Sequence, residues 1–416
     1  MQFFYVKEKV TLKLPHKQKE LIPVSTAHLQ LNQIPLDRVY CGYIAWECIE
    51  AKREKGDHVA CLLSEAVMSK IVQGRLLRPH SSGEGLLTQI LAIKPETADS
   101  PIRFALLNGT GTMLGDTLVG ASVLEYVVGH LKERSVHVTV DVFLAWNARP
   151  DVTSIWKKTA GVGQVFESSP TVAELLGYDA FWDYSRLLDK TGYGTQHFAD
   201  FYYNHFGIDS NQVQVTQKLP IVKVFKQSLN DTQKYLGEQL GGQALVWVDP
   251  NASTPARSMP EGFFSNLLME LLTLSEIKVA TASPIPEQLD APLTEKLIDL
   301  SSWTKGNLDR YLSALSLANA IISVDTLALH VAMGCAKPGV ALFALSEPTV
   351  RLQYSPQITG LLIPDAQKLP YWNRHKSDEN WTKWRRAYEL AWDQLDVQLI
   401  ATIVKQKALM GFSTFQ

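Results

Sequence analysis

Three stretches of this chain carry residues whose type and spacing could do chemistry. The first is Asp325-Thr326-Leu327-Ala328-Leu329-His330, which follows an apolar, β-branched run from Ala320 to Val324. Lys337-Pro338-Gly339 then turns the chain into a second apolar run, Val340 to Leu345, ahead of Ser346-Glu347-Pro348. The pattern predicts strand, loop, helix, turn and strand, with Asp325 and Thr326 at the carboxyl end of a buried parallel strand. In open α/β sheets that edge binds ligands, because helix N-termini there offer N–H groups to anions. Asp and Thr are also common helix caps, so a purely capping role stays open here.

The second stretch is Asn108-Gly109-Thr110-Gly111-Thr112-Met113-Leu114-Gly115-Asp116. It lies between a short strand, Arg103 to Leu107, and a helix that Asp116 opens and that runs to about Leu131. A second strand, Val136 to Phe143, carries Asp141. One reading is a dinucleotide fingerprint with Asp141 on the ribose, although the spacing is Gly-x-Gly-x-x-x-Gly and Leu114 stands where the third glycine should fall. Another makes Asp116 a simple N-cap that satisfies N–H groups and the helix dipole.

The third stretch follows the apolar strand Leu245 to Val248 and reads Asp249-Pro250-Asn251-Ala252-Ser253, then Thr254 to Pro260 with Arg257 within it. A helix from Glu261 to about Leu272 comes next. A hydroxyl and a guanidinium at a helix N-terminus, here Ser253 and Arg257, suit a diphosphate.

Together these stretches resemble glycosyltransferase family 9, the heptosyltransferases of lipopolysaccharide assembly. Asp325 to His330 matches an Asp-Thr-Gly-x-x-His signature followed by a Lys-Pro turn, and Gly115-Asp116 matches the Gly-Asp that opens the family's first helix. Ser253 to Pro260 matches an Asn-Pro-Gly-Ala-Ser segment leading to a basic Trp-Pro step. The resemblance covers about residues 101 to 400. It implies a GT-B fold of the α/β class, two Rossmann-like, doubly wound domains facing a cleft, with a small N-terminal α+β extension. It also implies an inverting, metal-independent enzyme that moves a sugar, heptose or similar, from a nucleotide-diphosphate donor.

The roles it implies are specific. Asp116 is the general base, since a carboxylate in hydrogen-bond reach can take the proton of a poorly nucleophilic sugar hydroxyl. Ser253, Arg257, Thr326 and the backbone at Leu327 hold the diphosphate. Asp325 binds donor-sugar hydroxyls, and His330 supports the phosphate or the loop. No cofactor and no metal are expected, and no Asp-x-Asp pair occurs. Expected partners are the nucleotide-sugar donor and a glycan, lipid-linked or protein acceptor. The chain departs from the family at Leu327, where a glycine would let backbone N–H groups approach a phosphate closely, at Met259, which replaces the tryptophan, and in lacking a cysteine cluster after the signature. Two other classes stay open: an NAD(P)-dependent oxidoreductase, and a transferase-like binding protein whose catalysis has lapsed.

Composition agrees with a soluble globular protein. The chain has 416 residues, 46% hydrophobic and 20% charged, too long for one ordinary core. A net charge of −2 gives no electrostatic case for nucleic acid or an anionic membrane. No apolar run approaches a membrane span, and Met1 to Val10 does not read as a signal peptide, so a cytoplasmic protein is expected, with at most peripheral contact at the inner membrane face. The four cysteines show no Cys-x-x-Cys spacing and read as reduced thiols.

The elements that must position these residues fall into an accessory domain (1–100), an acceptor domain (101–235), a nucleotide-sugar domain (236–392) and a C-terminal helix (393–416) packing back on the first Rossmann-like domain. In the accessory domain, Phe4 to Leu14 alternates as an edge strand or hairpin, and Asp57 can cap a helix from His58 to about Val72. Residues 219–225 are expected to close the acceptor domain, with a linker near Gln227 to Lys234. The aromatics of Phe198 to Phe206 and the tryptophans of Tyr371 to Trp392 read as core or domain interface.

Overall fold

The computed structural model describes residues 3–6, 10–13, 18–21, 39–41, 60–63, 75, 86–94, 100–144, 148–184, 190, 192–287, 289, 291–294, 296–373 and 380–412. They fall into two compact units, Met1–Thr191 with Ala199–Gln217, and Gly192–Phe198 with Lys218–Gln416.

The first unit opens with short strands: β1 (Phe3–Val6), β2 (Val10–Lys13), β3 (Gln18–Leu21), β4 (Val39–Cys41) and β5 (Ala60–Leu63). The expected alternation at Phe4 to Leu14 resolves into two strands. β2 and β3 form an antiparallel pair, while β1 lies between β4 and β5. The helix expected from His58 is corrected: Ala60–Leu63 is a strand, antiparallel to β1 with Phe3 opposite Leu63. A short unbroken apolar run reads equally well as strand or helix, and the available sheet edge decided it.

The rest of this unit is a parallel sheet. Its strands are β6 (Ile102–Leu107), β7 (Val138–Phe143), β8 (Val162–Phe166) and β9 (Ala180–Asp183), in the order β8-β7-β6-β9. Helix α1 (Leu114–Glu133) makes the first crossover, and α2 (Phe198–His205) begins in the second unit at Phe198.

Helix α3 (Lys226–Leu240) occupies the place of the expected linker, and residues 219–225 ahead of it are irregular and belong to the second unit. Thr232 and Leu236, one turn apart, are buried, and α3 ends at Gly241 in the left-handed region. The second sheet follows, with β10 (Ala244–Asp249), α4 (Glu261–Leu272), β11 (Ile277–Thr281), β12 (Leu297–Asp299), α5 (Leu308–Leu317), β13 (Ala320–Val324), α6 (Leu327–Gly334), β14 (Gly339–Phe343), α7 (Pro348–Leu352) and β15 (Ile358–Leu362). All its strand pairs are parallel, in the order β12-β11-β10-β13-β14-β15. Numbered within the sheet, this is the 3-2-1-4-5-6 order of a Rossmann fold, and it reverses between β10 and β13. β10, β13 and β14 are buried along their whole length, which is why they are apolar apart from Ser323 and the terminal Asp249.

Helices α8 (Trp381–Trp392) and α9 (Val397–Phe412) complete the unit. The expectation that α9 packs back on the first Rossmann-like domain is corrected. Its stripe of Ile400, Ala401, Val404 and Ala408 is buried in the core of the second sheet, against β10, β13, β14 and α4. A stripe at spacings of four fits any apolar face, so its partner could not be read locally. The tryptophans follow the core reading, with Trp392 fully buried against Phe263 and Trp381 and Trp384 packed half-buried on the same core.

Candidate active site

The reversal between β10 and β13 places two of the three stretches side by side. After β10, the chain from Pro250 to Ser258 forms a tight loop. Ser258 Oγ accepts from the Ala252 N–H at 3.0 Å and donates to the Thr254 carbonyl at 3.1 Å, and the Met259 N–H closes onto the Pro250 carbonyl at 2.8 Å. A single 3-10 turn, Pro255–Arg257, then presents Arg257. Arg257 Nη2 donates to Ser253 Oγ, while Nη1 donates to the Asp325 carbonyl at 3.3 Å and lies 3.6 Å from Asp325 Oδ2. Ser253 is exposed. Met259 is buried in the core, so the position that holds tryptophan in the family serves packing here.

Asp325 follows β13 and is 5% exposed. Thr326 holds the N-cap position of α6 in extended conformation, with no side-chain capping hydrogen bond. Capping through the Thr326 hydroxyl is therefore not what this pair does. The Asp325 carboxylate faces two guanidinium groups, with Arg257 Nη1 at 3.6 Å and Arg351 Nε at 3.8 Å from the same oxygen, Oδ2. Leu327 begins α6 with its side chain buried, so it keeps the first-turn N–H groups but fills the space a glycine would leave.

Arg351 escaped the sequence reading. It lies in α7, just past Ser346-Glu347-Pro348, and is 1% exposed. Nη1 donates to the Gln196 carbonyl at 3.3 Å, and the guanidinium carbon sits 3.7 Å from the centroid of the Phe198 ring. The one local signal was an arginine one turn past Pro348 in the short helix that follows β14.

His330 is buried one turn into α6, its ring stacked on Phe198 with centroids 5.6 Å apart. Burial, opposed by the nearby Asp325 charge and reinforced by Arg351 and Arg257, pushes its pKa down to about 4. It is a neutral imidazole at physiological pH and carries no charge to a phosphate. At the end of β10, burial raises the Asp249 carboxyl to about 6, while the hydrogen bond it accepts from the Tyr311 hydroxyl works in the opposite direction.

The remaining stretch is built in the first unit. Asn108 follows β6 in the left-handed region (φ 65°), and its amide donates to Asp183 Oδ1 at 3.0 Å, at the end of the neighbouring β9. This is again the reversal point of the strand order. Thr110 Oγ1 donates to the Asp116 carbonyl at 3.2 Å, and Tyr202 pins the same loop by donating to the Thr110 carbonyl at 3.1 Å. Gly120 matters because a Cβ there would run into the Thr110 side chain. Helix α1 starts at Leu114 after an N-cap at Met113, so Asp116 does not open the helix. It is half-buried at the third helical position, where the helix dipole favours its charge.

Asp141 is not available as a ribose acid. It lies within β7, 7% exposed, and accepts from the Tyr178 hydroxyl at 2.9 Å and the Gln164 N–H at 2.8 Å. The dinucleotide reading loses its acid. Among the described residues, no group of three or more His, Cys, Asp or Glu side chains is placed to hold a metal ion.

Two Rossmann-like parallel sheets, with the loops carrying Arg257 and Asp325 at the reversal of the second, define an α/β protein of the GT-B glycosyltransferase class. The family model for glycosyltransferase family 9 (heptosyltransferase) matches residues 144–382, more than half of the chain, and the chain belongs to that family of enzymes. The glycosyltransferase family 9 protein from Veillonella parvula DSM 2008 is similar at a TM-score of 0.50 and 13% identity, over 76% of this chain and 100% of that one. The ADP-heptose lipopolysaccharide heptosyltransferase II of E. coli is similar at 0.51 and 14% identity, over 74% and 99%. At these identities the likeness speaks for the fold. No curated protein matches the chain.

Proposed function

We propose that this glycosyltransferase moves a heptose or similar sugar, with inversion and without a metal, from a nucleoside-diphosphate donor to a hydroxyl of a glycan, lipopolysaccharide core or protein. The observation that carries the reading is the Asp325 carboxylate at the reversal of the second sheet, one oxygen shared by Arg257 and Arg351. Arg257 and Ser253, with the Thr326 hydroxyl and the first-turn N–H groups at Leu327, bind the diphosphate, and Asp325 accepts from hydroxyls of the donor sugar. Asp116 takes the acceptor proton as that oxygen bonds to the anomeric carbon from the face opposite the leaving group. The carbon–oxygen bond to the diphosphate breaks, its electron pair goes to phosphate oxygen, and guanidinium charge stabilises the leaving group. His330, buried and neutral, supports the loop. The proposed setting is the cytoplasm, at the inner membrane face where the acceptor is lipid-linked. No helix among the described residues is long and apolar enough to cross a membrane.

The first test is thermal stability with ADP, GDP, UDP, CMP, NAD and NADP. Binding at 100 times Kd stabilises a fold by about 2.7 kcal/mol. A shift with one nucleoside diphosphate is expected, and a shift with NAD or NADP alone would sink the reading. Asp116→Asn should then lower kcat by roughly 10²–10⁴, the usual worth of a general base, without weakening nucleotide binding. Unchanged transfer by that variant removes Asp116 from the mechanism, and binding without turnover in the wild type points to lapsed catalysis.

A further inference from the structure

Arg351 holds a guanidinium that the fold buries and does not fully use. Its Nε and Nη2 have no hydrogen-bond partner among the described residues, and Nε stands 3.8 Å from Asp325 Oδ2, beyond hydrogen-bond length. Nη1 is taken by the Gln196 carbonyl, and Phe198 lies under the guanidinium plane. Nε and Nη2 share one edge of that plane, the edge that grips a carboxylate or phosphate through two parallel N–H···O bonds. The side chain is held by Gln196 and Phe198, and its buried Nε–Nη2 edge has only the Asp325 carboxylate near it, with no hydrogen-bond partner among the described residues.

Charge points the same way. Arg257 and Arg351 bring two positive charges to one carboxylate, and His330 adds none because burial keeps it neutral. The cluster is left with one excess positive charge around a guanidinium that is 1% exposed. An uncompensated buried charge is costly, and an anion relieves it. Arg257 differs in that it is 17% exposed and hydrogen-bonded to the exposed Ser253, toward solvent.

We propose that the Nε–Nη2 edge of Arg351 is a second anion site of the donor pocket, taking a two-oxygen group of the donor. That group is an oxygen pair of the diphosphate or a carboxylate on the transferred sugar. The inference rests on the nucleotide-sugar reading above and adds a residue to it. Gln196, two residues before α2, and Phe198, the first residue of α2, act as positioning residues that present this edge.

The probes are inorganic pyrophosphate and glucuronate, which do not depend on the nucleoside base. Their binding to the full-length wild type, Arg351→Met and Arg351→Lys is read by thermal shift titration. Pyrophosphate should bind the wild type and bind Arg351→Met at least 10-fold more weakly, with Arg351→Lys between the two because it keeps the charge but loses the fork. Loss of glucuronate binding in Arg351→Met, with pyrophosphate unchanged, assigns the edge to a sugar carboxylate. Unchanged affinity for both probes in both variants overturns the proposal. A wild type that responds to neither probe and to no nucleoside diphosphate is a different failure, that of the donor reading itself. Should neither variant fold, a crystal structure of the wild type with pyrophosphate decides: oxygens within hydrogen-bond distance of Nε and Nη2 support the site. Pyrophosphate held by Ser253 and Arg257 alone overturns it.

Discussion

Arg257 Nη1 lies 3.6 Å from Asp325 Oδ2, joining the loop after β10 to the loop after β13 across the point where the strand order reverses. The pair ties together two segments that meet only because β10 and β13 are neighbours in the sheet. Arg351 approaches the same oxygen from α7, so the carboxylate is the common counter-ion of both guanidinium groups.

Removing that counter-ion should be expensive. Asp325→Ala leaves Arg351 buried with less compensation, and breaking a buried pair costs roughly 3–5 kcal/mol. Denaturant unfolding should show a loss of this size, and adding Arg351→Met in the same chain should recover part of it, because the orphaned charge goes too. A single Asp325→Ala variant within about 1 kcal/mol of wild type would show that the cluster carries no such tension, since cost of that size is ordinary for any substitution.

Two buried groups make stability depend on pH in opposite directions. His330 titrates near 4 in the folded chain, below its unfolded value near 6.5, so its contribution is full above that value and is lost as pH falls toward 4. Asp249 titrates near 6, above its unfolded value of 3.8, so its contribution is full at low pH and is lost as pH rises through 6. Each is worth about 3 kcal/mol at 1.36 kcal/mol per pKa unit. Between about pH 4 and 6 the two slopes oppose each other. Asp249→Asn, whose amide oxygen can still accept from Tyr311, should leave a chain that loses stability steeply on acidification. His330→Gln should leave one that gains it. Parallel pH–stability curves for wild type and both variants would refute the assignment.

Glycine substitutions should separate close backbone approach from open helix surface. At Gly334, the end of α6, an added Cβ meets the Pro220 carbonyl oxygen, which is backbone and cannot rotate away, and comes 2.9 Å from Val222 Cγ2. Gly334→Ala should cost about 1–3 kcal/mol, the usual range for overpacking. At Gly237 in α3 nothing lies within 4 Å of the added Cβ, and Gly237→Ala should stabilise by about 0.5–1 kcal/mol through helix propensity. Melting temperatures that move in the same direction for both would contradict this geometry.

Much of the site was legible locally. Ala320–Val324 and Gly339–Phe343 are apolar apart from Ser323 because both faces of their sheet are covered, and this marks the strands and fixes Asp325 at a carboxyl end. Ala244–Asp249 ahead of Ser253 and Arg257 is apolar up to its terminal Asp249, and Ile102–Leu107 ahead of the Asn108 to Asp116 loop is apolar and buried except at Arg103. Such information lies in side chains a few residues apart, so sequence by itself determined the strand–loop–helix units and which loops face the ligand edge. Partner choice was decided by tertiary structure alone. The stripe of α9 suits any apolar face, Ala60–Leu63 suits a helix or a strand, and Asp141 suits a ribose until Tyr178 and Gln164 donate to it. Arg351 is the clearest case. Its worth comes from Phe198, Gln196 and Asp325 meeting around it and from the two buried donors they leave without a hydrogen-bond partner, and no spacing along the chain encodes a contact between residues so far apart in sequence.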